Sequence, residues 1–197
     1  MYDAALYYRA KAESQSRIIT ELGLREGEFV LATVHRAENT DDPEKLRAIM
    51  EALRIISRTI PVVLPLHPRT RAILDKMNDT QEASGRLNIL EPLGYFDMIT
   101  LERHASVVVT DSGGVQKEAS FQNVRCVTLR GETEWEELIE TGRNTLAPPE
   151  IGASAIAQTV LDALAMPALE PAEIYGDGHA AEAIVKALLN FKVGVPA

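Results

Sequence analysis

Short apolar runs alternate with longer segments of helical periodicity along most of this chain. The runs are rich in Val, Ile and Leu, which favour buried strands, and the predicted strands cover 28–34, 62–66, 87–90, 106–110, 125–129 and 144–146. Apolar residues at helical spacing predict helices over 2–22, 43–56, 70–77, 96–104, 114–121, 134–140, 153–165 and 178–189. The segment 2–22 is expected to be one long amphipathic helix that stops at Gly23.

This alternation of strands and helices determines the expected fold class. Near-continuous apolar strands are typical of a parallel sheet that helices cover on both faces. We therefore expect an α/β fold with a doubly wound parallel sheet of the Rossmann type. Asp42 followed by Pro43 has the form of a helix N-cap with proline at the first helical position.

Composition and charge narrow the classes of function. The chain has 197 residues, of which 46% are hydrophobic and 25% charged, as in an ordinary globular domain. A net charge of −9 argues against a nucleic-acid-binding surface. The apolar runs are too short to cross a membrane, so we expect a cytoplasmic protein. The single cysteine, Cys126, lies in an apolar run and is expected to be a buried structural thiol.

The most informative polar cluster follows the strand at 106–110. Asp111, Ser112, Gly113 and Gly114 lead directly into a helix. Free backbone N–H groups and the helix dipole would favour a phosphate at this point. An ordinary strand-to-helix turn capped by Asp111 or Ser112 is the alternative, and the sequence is neither a Walker A loop nor a dinucleotide fingerprint.

Glu118 lies on the same helix, one turn beyond Gly114 and on the same face. Its carboxylate is suited to accept hydrogen bonds from ribose hydroxyls. A solvated helix glutamate is the simpler interpretation of this residue taken alone.

Three further clusters follow strands, where ligands gather in open α/β sheets. The cluster after 28–34 is either a binding loop or a hydrophilic loop before the Asp42 cap, and it contains His35, Arg36, Glu38 and Asn39. The cluster after 62–66 offers His67 and Arg69 to an anionic or polyhydroxyl group. The cluster after 125–129 is suited to a sugar or diphosphate, or to a capping box, and it contains Arg130, Thr133, Glu134 and Trp135.

Two other kinds of site are not expected. The segment 176–181 fits the pattern G-x-G-x-x-A but follows an irregular segment, which argues against NAD binding. The four histidines are scattered and form no H-x-x-x-H pair, so no metal site is expected.

Taken in order, these clusters resemble those of the non-hydrolysing UDP-N-acetylglucosamine 2-epimerases. The matching segments are 33–39, 67–68, 110–118 and 130–135, together with 174–178 before the last helix. The resemblance implies a GT-B-type enzyme with two Rossmann-like domains, of which this chain matches the second. It places a linking helix at 1–24 and the C-terminal UDP-sugar-binding domain at 25–197.

The same resemblance implies the reaction. Members of the family convert UDP-N-acetylglucosamine to UDP-N-acetylmannosamine by elimination and re-addition of UDP, without a cofactor, for cell envelope polysaccharides. They are homo-oligomers, and the acidic groups that move the C2 proton lie in the N-terminal domain. This chain is therefore expected to need an N-terminal-domain partner chain and to be inactive alone.

The resemblance also implies roles for individual residues. Ser112, Gly113 and Gly114 would hold the diphosphate, Glu118 the ribose, and His35 would be the active-site histidine. Leu93 and Met98 would contact uridine, and His67 is matched to a second, regulatory UDP-sugar site. The remaining expected substrate contacts are Arg36, Glu38, Asn39, Arg130, Thr133 and Glu134. Trp135 stands where many relatives carry arginine.

Two alternatives remain open at this stage. One is a stand-alone UDP-sugar-binding or regulatory module, because half of a cleft binds a nucleotide without enclosing it. The other is a glycosyltransferase domain of the same GT-B architecture. Product analysis with a reconstituted partner would separate the glycosyltransferase from the epimerase.

Overall fold

A central parallel sheet organises the part of the chain that the computed structural model describes, residues 1–77 and 85–191. Within these residues six strands lie in the order β3-β2-β1-β4-β5-β6, and every neighbouring pair is parallel. The strands are β1 (Val30–Thr33), β2 (Val62–Pro65), β3 (Leu87–Leu90), β4 (Val107–Thr110), β5 (Arg125–Thr128) and β6 (Asn144–Leu146). All of the predicted strands are confirmed, although several are shorter than predicted.

Helices precede, connect and follow the strands. They are α1 (Tyr2–Gln15), α2 (Ile18–Glu21), α3 (Ala37–Thr40), α4 (Pro43–Ser57), α5 (Pro68–Lys76), α6 (Tyr95–His104), α7 (Gly113–Phe121), α8 (Glu136–Glu140), α9 (Ala153–Ala165) and α10 (Ala180–Asn190), with a 3-10 turn at Pro149–Ile151. The α4 cap is confirmed, because the Asp42 carboxylate accepts hydrogen bonds from the backbone N–H groups of Glu44 and Lys45. The short helix α3 was not predicted.

The two faces of the sheet bury separate apolar clusters. Along β1, Val30 and Ala32 face one cluster while Leu31 faces the other, as the alternation of side chains in a strand requires. The first cluster takes side chains from α4, α5 and α9, and the second from α2, α6 and α7. The sheet is therefore covered on both faces, and the doubly wound class is confirmed.

The prediction of one long helix over 2–22 is wrong, because the helix breaks at Ser16. The backbone of Ser16 is extended, with φ −78° and ψ 137°. Its hydroxyl donates to the Asp97 carboxylate at 2.6 Å and lies 3.4 Å from the N–H of Ile18, which begins α2. A serine side chain that bonds to another helix and also contacts the first N–H of α2 replaces the hydrogen bonds that a continuous helix would have made.

The final helix, α10, buries none of its residues. Its large apolar side chains are exposed, and they are Ile184, Val185, Leu188 and Leu189. Its first turn is tied to α1, where the Asp3 carboxylate accepts from the N–H of Ala181 at 2.8 Å. None of the helices in the described residues is long and apolar enough to cross a membrane.

The domain limits 1–24 and 25–197 remain predictions. Part of the second range, 78–84 and 192–197, lies outside the described residues. Within the described part, α1 and α2 both pack against α6, and Ile18 belongs to the second apolar cluster.

Candidate functional site

The candidate site lies where the strand order changes direction. From β1 the chain proceeds outward to β2 and β3, and then returns to the other side of β1 to form β4, β5 and β6. At the carboxyl ends of the two central strands, Thr33 is paired with Thr110, and their hydroxyl oxygens are 2.6 Å apart. A crevice between the loops that follow such strands is where open α/β sheets bind ligands.

The carboxylate of Asp111 joins the two loops at this crevice. It is fully buried and accepts hydrogen bonds from the backbone N–H groups of His35 (3.1 Å) and Arg36 (3.0 Å). It also accepts from the side-chain N–H of Asn39 at 3.2 Å, and that amide reaches the carbonyl of Leu129 at 3.1 Å. Asp111 therefore holds the loop after β1 in place, and both of its oxygens already accept hydrogen bonds from the protein.

The glycine turn, which we define as Ser112, Gly113 and Gly114, opens α7. Ser112 is the N-cap, its hydroxyl lies 3.5 Å from the N–H of Val115, and its own N–H donates to the Thr110 hydroxyl at 2.9 Å. A methyl group added to Gly114 would meet only the Ser112 hydroxyl, at 3.8 Å. Because packing does not demand glycine at position 114, the open space there is available to a ligand that approaches the backbone N–H groups.

Charged side chains border the glycine turn. The Glu134 carboxylate lies near Gly113, where an added Cβ would be 3.5 Å from one of its oxygens. Arg130 binds both of those oxygens, at 2.9 and 3.0 Å, and Arg36 approaches one of them at 3.7 Å. The hydrogen bonds from Arg130 hold the pKa of Glu134 at about 2. The carboxylate is thus matched by two guanidinium groups beside the expected anion site.

Glu118 lies further along α7 and is partly buried. Burial raises the pKa of its carboxyl above the usual value. Its neighbour Glu102, on α6, is only 2% exposed, and one of its carboxyl oxygens has no hydrogen-bond partner. Burial and then the charge of Glu118 raise the pKa of Glu102 well above its usual value.

The two histidines of the predicted site are brought together. The ring centroids of His35 and His67 are 6.2 Å apart. His67 is also the N-cap of α5, since its ring nitrogen Nδ1 accepts from the N–H of Arg69 at 3.2 Å. Arg69 in turn donates to Asp41 at 2.6 Å, so both residues of this cluster have structural partners.

Glu38, Leu93 and Met98 are less closely joined to the glycine turn. The Glu38 side chain is 68% exposed, and its oxygen lies 3.5 Å from the Arg36 guanidinium. Leu93 and Met98 are partly buried and pack against the second apolar cluster. Their contact with uridine remains a prediction.

The capping box considered for residues 130–135 is absent. Trp135 is the N-cap of α8 and makes no side-chain capping bond. The Thr133 hydroxyl instead donates to the side chain of Gln116 at 2.6 Å, and Asn144 donates to the same oxygen at 3.1 Å. The Thr133 hydroxyl is therefore shared between the local N–H of Trp135, at 3.2 Å, and the Gln116 side chain on α7, which is distant in sequence.

Cys126 is buried on β5, and burial raises the pKa of its thiol to about 12. This agrees with its expected structural role. Across residues 1–77 and 85–191, His, Cys, Asp and Glu form no group that could hold a metal ion. The G-x-G-x-x-A segment runs into the first two residues of α10 and does not follow a strand of the described sheet.

Sequence reasoning missed the roles of three residues around the glycine turn. Asp111 was included in the cluster after 106–110 and considered as a helix cap, but its bonds to the loop after β1 were not predicted. Gln116 and Lys117 were not singled out. Their partners come from other loops, so no local pattern identified them.

Comparisons with known proteins identify relatives of the whole chain. A family model described as UDP-N-acetylglucosamine 2-epimerase matches residues 1–189. UDP-2,3-diacetamido-2,3-dideoxy-D-glucuronate 2-epimerase of Pseudomonas aeruginosa is 41% identical over 95% of this chain and 50% of its own length. A UDP-N-acetylglucosamine 2-epimerase homolog of Methanococcus maripaludis is 39% identical over 96% of this chain and 53% of its own.

A solved structure of a relative has the same fold as this chain. The UDP-GlcNAc 2-epimerase of Methanocaldococcus jannaschii, in complex with UDP-GlcNAc and UDP, superposes with a TM-score of 0.82 at 32% identity. It covers 96% of this chain, which in turn covers 53% of that protein. The chain thus spans about half the length of the relatives it matches. From this agreement of sequence and fold, the chain belongs to the UDP-N-acetylglucosamine 2-epimerase family.

Proposed function

We propose that this chain is the C-terminal, UDP-sugar-binding half of a cytoplasmic enzyme that converts UDP-N-acetylglucosamine to UDP-N-acetylmannosamine. The observation that carries the proposal is the glycine turn at the switch point of the sheet. Open space lies in front of Gly114, and the N-terminus of α7 offers free N–H groups and a favourable dipole to a diphosphate. The family to which the chain belongs supplies the reaction.

The proposed chemistry explains why a diphosphate site matters. The C2 proton has no adjacent carbonyl that would stabilise a carbanion, so its removal must accompany departure of the anomeric oxygen. Negative charge then develops on the diphosphate. N–H groups fixed by the Ser112 cap would stabilise this charge without reorganisation during the reaction.

His35 is the residue of this chain that we propose to act near the leaving group. Its backbone N–H is held by Asp111, and its Nδ1 lies 3.5 Å from one oxygen of that carboxylate. A proton on Nδ1 that faces Asp111 would leave Nε2 directed elsewhere. With 43% of its side chain exposed, the imidazole is accessible to a substrate oxygen, and when Nε2 carries a proton as well it can act there as an acid or as a hydrogen-bond donor.

A second substrate is favoured by one specific observation. The Pseudomonas relative, at 41% identity, is an epimerase of a UDP-diacetamido-glucuronate. Both sugars carry UDP at C1 and are inverted at C2. The diphosphate and ribose contacts proposed here would therefore serve either substrate, and the sugar itself is what must be tested.

The C2 proton is not assigned to any residue of this chain. In our proposal the groups that move it belong to an N-terminal half, supplied in a homo-oligomeric enzyme or by a partner chain. Without that half, the chain would be a UDP-sugar-binding module, and a GT-B glycosyltransferase remains the alternative enzyme.

The test is calorimetric titration of the purified chain with UDP, alongside Gly114→Asp. The new carboxylate would face the diphosphate, so we expect at least a 10-fold loss of affinity. Ser154→Asp is the matched control, because Ser154 is exposed and also holds the second position of a helix, α9. It adds the same charge away from the site and should bind UDP as the original chain does.

Turnover is followed in the same samples with UDP-N-acetylglucosamine and the UDP-diacetamido-glucuronate. UDP binding without turnover, and C2 inversion of one sugar after an N-terminal half is added, would support the proposal. Failure of the original chain to bind UDP would contradict it, and sugar transfer to an acceptor would favour the glycosyltransferase.

A further inference from the structure

The only tryptophan of the chain, Trp135, is bonded directly to the glycine turn. Its indole N–H donates to the carbonyl of Gly113 at 2.8 Å. The carbonyl of Gly113 and the N–H of Gly114 belong to one planar peptide unit and point in opposite directions. A donor that fixes the carbonyl therefore also fixes the direction of an N–H group at the mouth of α7.

Lys117 holds the Trp135 ring from the side of α7. Its ammonium nitrogen lies 4.1 Å from the centroid of the Trp135 ring and 4.5 Å from that of Tyr175. A cation between two aromatic faces is favourable to both of them. The charge of Lys117 is thus engaged by the two rings, although its place in the sequence, just after the glycines, would suggest a phosphate ligand.

Tyr175 closes this arrangement from the segment between α9 and α10. Its hydroxyl donates to the Glu137 carboxylate at 2.6 Å, and its ring lies edge-on to Phe121 at 5.4 Å. The ring that covers Lys117 is therefore anchored at α8 and at the end of α7. Trp135 has a second anchor, because its backbone N–H donates to the Thr133 hydroxyl at 3.2 Å.

We propose that Trp135, Lys117 and Tyr175 form an aromatic clamp that positions the glycine turn for the diphosphate of the substrate. The three are positioning residues and do not themselves bind phosphate. This inference rests on the proposed function, since it requires that UDP binds at the glycine turn.

The competing explanation is that Lys117 leaves the rings and binds the diphosphate directly. The two differ in which variants weaken binding. A clamp fails when either ring is lost, whereas a direct ligand is affected only when the ammonium group is removed. They also differ in ligand dependence, because the clamp acts on the diphosphate and leaves uridine contacts unchanged.

The experiment measures the affinities of UDP and uridine for the full chain and its variants by calorimetry, with melting curves to verify folding. Trp135→Phe removes the indole donor, Lys117→Met removes the cation, and Tyr175→Leu removes the second ring. Each is expected to weaken UDP binding about 5- to 20-fold, on the scale of one cation–π contact or hydrogen bond. Uridine affinity should change less than about 2-fold.

Two conservative variants serve as controls. Tyr175→Phe loses the bond to Glu137 but keeps the ring and the edge-on contact with Phe121 that holds it, and Lys117→Arg keeps a cation between the rings. Both should retain UDP affinity close to that of the original chain. Because Trp135 is the only tryptophan, its fluorescence should change on addition of UDP and remain nearly constant on addition of uridine.

The outcomes separate the clamp from the proposed function. If the original chain binds UDP but Trp135→Phe and Tyr175→Leu bind it equally well, the clamp is wrong, and a loss in Lys117→Met alone would make Lys117 a direct ligand. Equal losses for UDP and uridine would reduce the three residues to a general structural role. If the original chain does not bind UDP, both the proposed function and the clamp are overturned.

Discussion

The side-chain amide of Asn39 donates to the carboxylate of Asp111 at 3.2 Å, which joins the loop after β1 to the loop after β4. Both residues are buried. The amide also donates to the carbonyl of Leu129 at the end of β5. One pair of side chains therefore holds together the loops that follow three neighbouring strands, and these loops form the candidate site.

Replacing Asp111 should destabilise the protein substantially. In Asp111→Asn, one acceptor oxygen becomes an NH₂ group that faces N–H donors of the loop after β1. Loss of bonds to a charged acceptor and burial of unpaired donors predict about 2 to 4 kcal/mol less stability. Urea denaturation measures this difference.

The control is Asp75→Asn, at an exposed position on α5. It should change stability by no more than about 0.5 kcal/mol. Similar small effects in both variants would mean that the Asp111 carboxylate does not hold the two loops together.

Glu102 should make stability fall as the pH rises. Its folded pKa lies well above the usual value of 4.5, so the folded state keeps a proton that the unfolded state has already released. Below the unfolded pKa, Glu102 does not reduce the free energy of unfolding. Above it, the free energy of unfolding falls by up to about 1.4 kcal/mol for each pH unit until the folded pKa is reached. Glu102→Gln has no such proton, so its stability relative to the original chain should increase from pH 5 to pH 8.

Urea denaturation at several pH values tests this dependence. Glu140→Gln, at an exposed position of α8, should show a constant difference from the original chain. A Glu102→Gln difference that is also independent of pH would argue that the buried carboxyl is not protonated in the folded protein.

Glu118→Gln should weaken the binding of UDP more than the binding of inorganic pyrophosphate. The amide has one acceptor oxygen where the carboxylate has two, so a ribose hydroxyl would lose a charge-assisted bond. We expect about a 10-fold loss for UDP and little change for pyrophosphate. Competition calorimetry compares the two ligands, and equal losses would place Glu118 at the diphosphate instead.

Cys126 should resist thiol reagents in the folded protein. Its side chain is buried and burial raises its pKa to about 12, so thiolate is scarce at pH 8. Reaction with Ellman's reagent should be very slow in buffer and rapid in guanidinium chloride. A fast reaction in buffer that leaves UDP binding unchanged would show that the strand β5 opens readily.

The strands and the caps of α4 and α7 could be predicted because their causes are local. Asp42 caps through N–H groups two and three residues away, and Ser112 through an N–H group three residues away. The break at Ser16 could not be predicted, because it depends on Asp97 on another helix. Where tertiary partners compete with local ones, the sequence pattern alone does not show which will prevail.

In the candidate site too, features with a local signal could be predicted and those that depend on distant residues could not. His35 and the glycine turn were predicted from their position after strands, and their binding roles remain predictions. The bond from Trp135 to Gly113 was not anticipated, since it joins residues 22 positions apart in the chain. The apolar face of α10 was predicted as part of a helix, but its exposure depends on what packs against it, which periodicity does not reveal.

The buried carboxylate of Asp111 has a consequence for how this site can change over evolutionary time. Substitutions at Asn39 and Asp111 act on one shared hydrogen bond, so their effects on stability should be non-additive. Whether a substitution in one loop destabilises the protein then depends on which residue stands at the partner position in the other loop. The two loops are expected to diverge as a pair, and transplanting one of them from a distant relative should succeed only when its counterpart is moved with it.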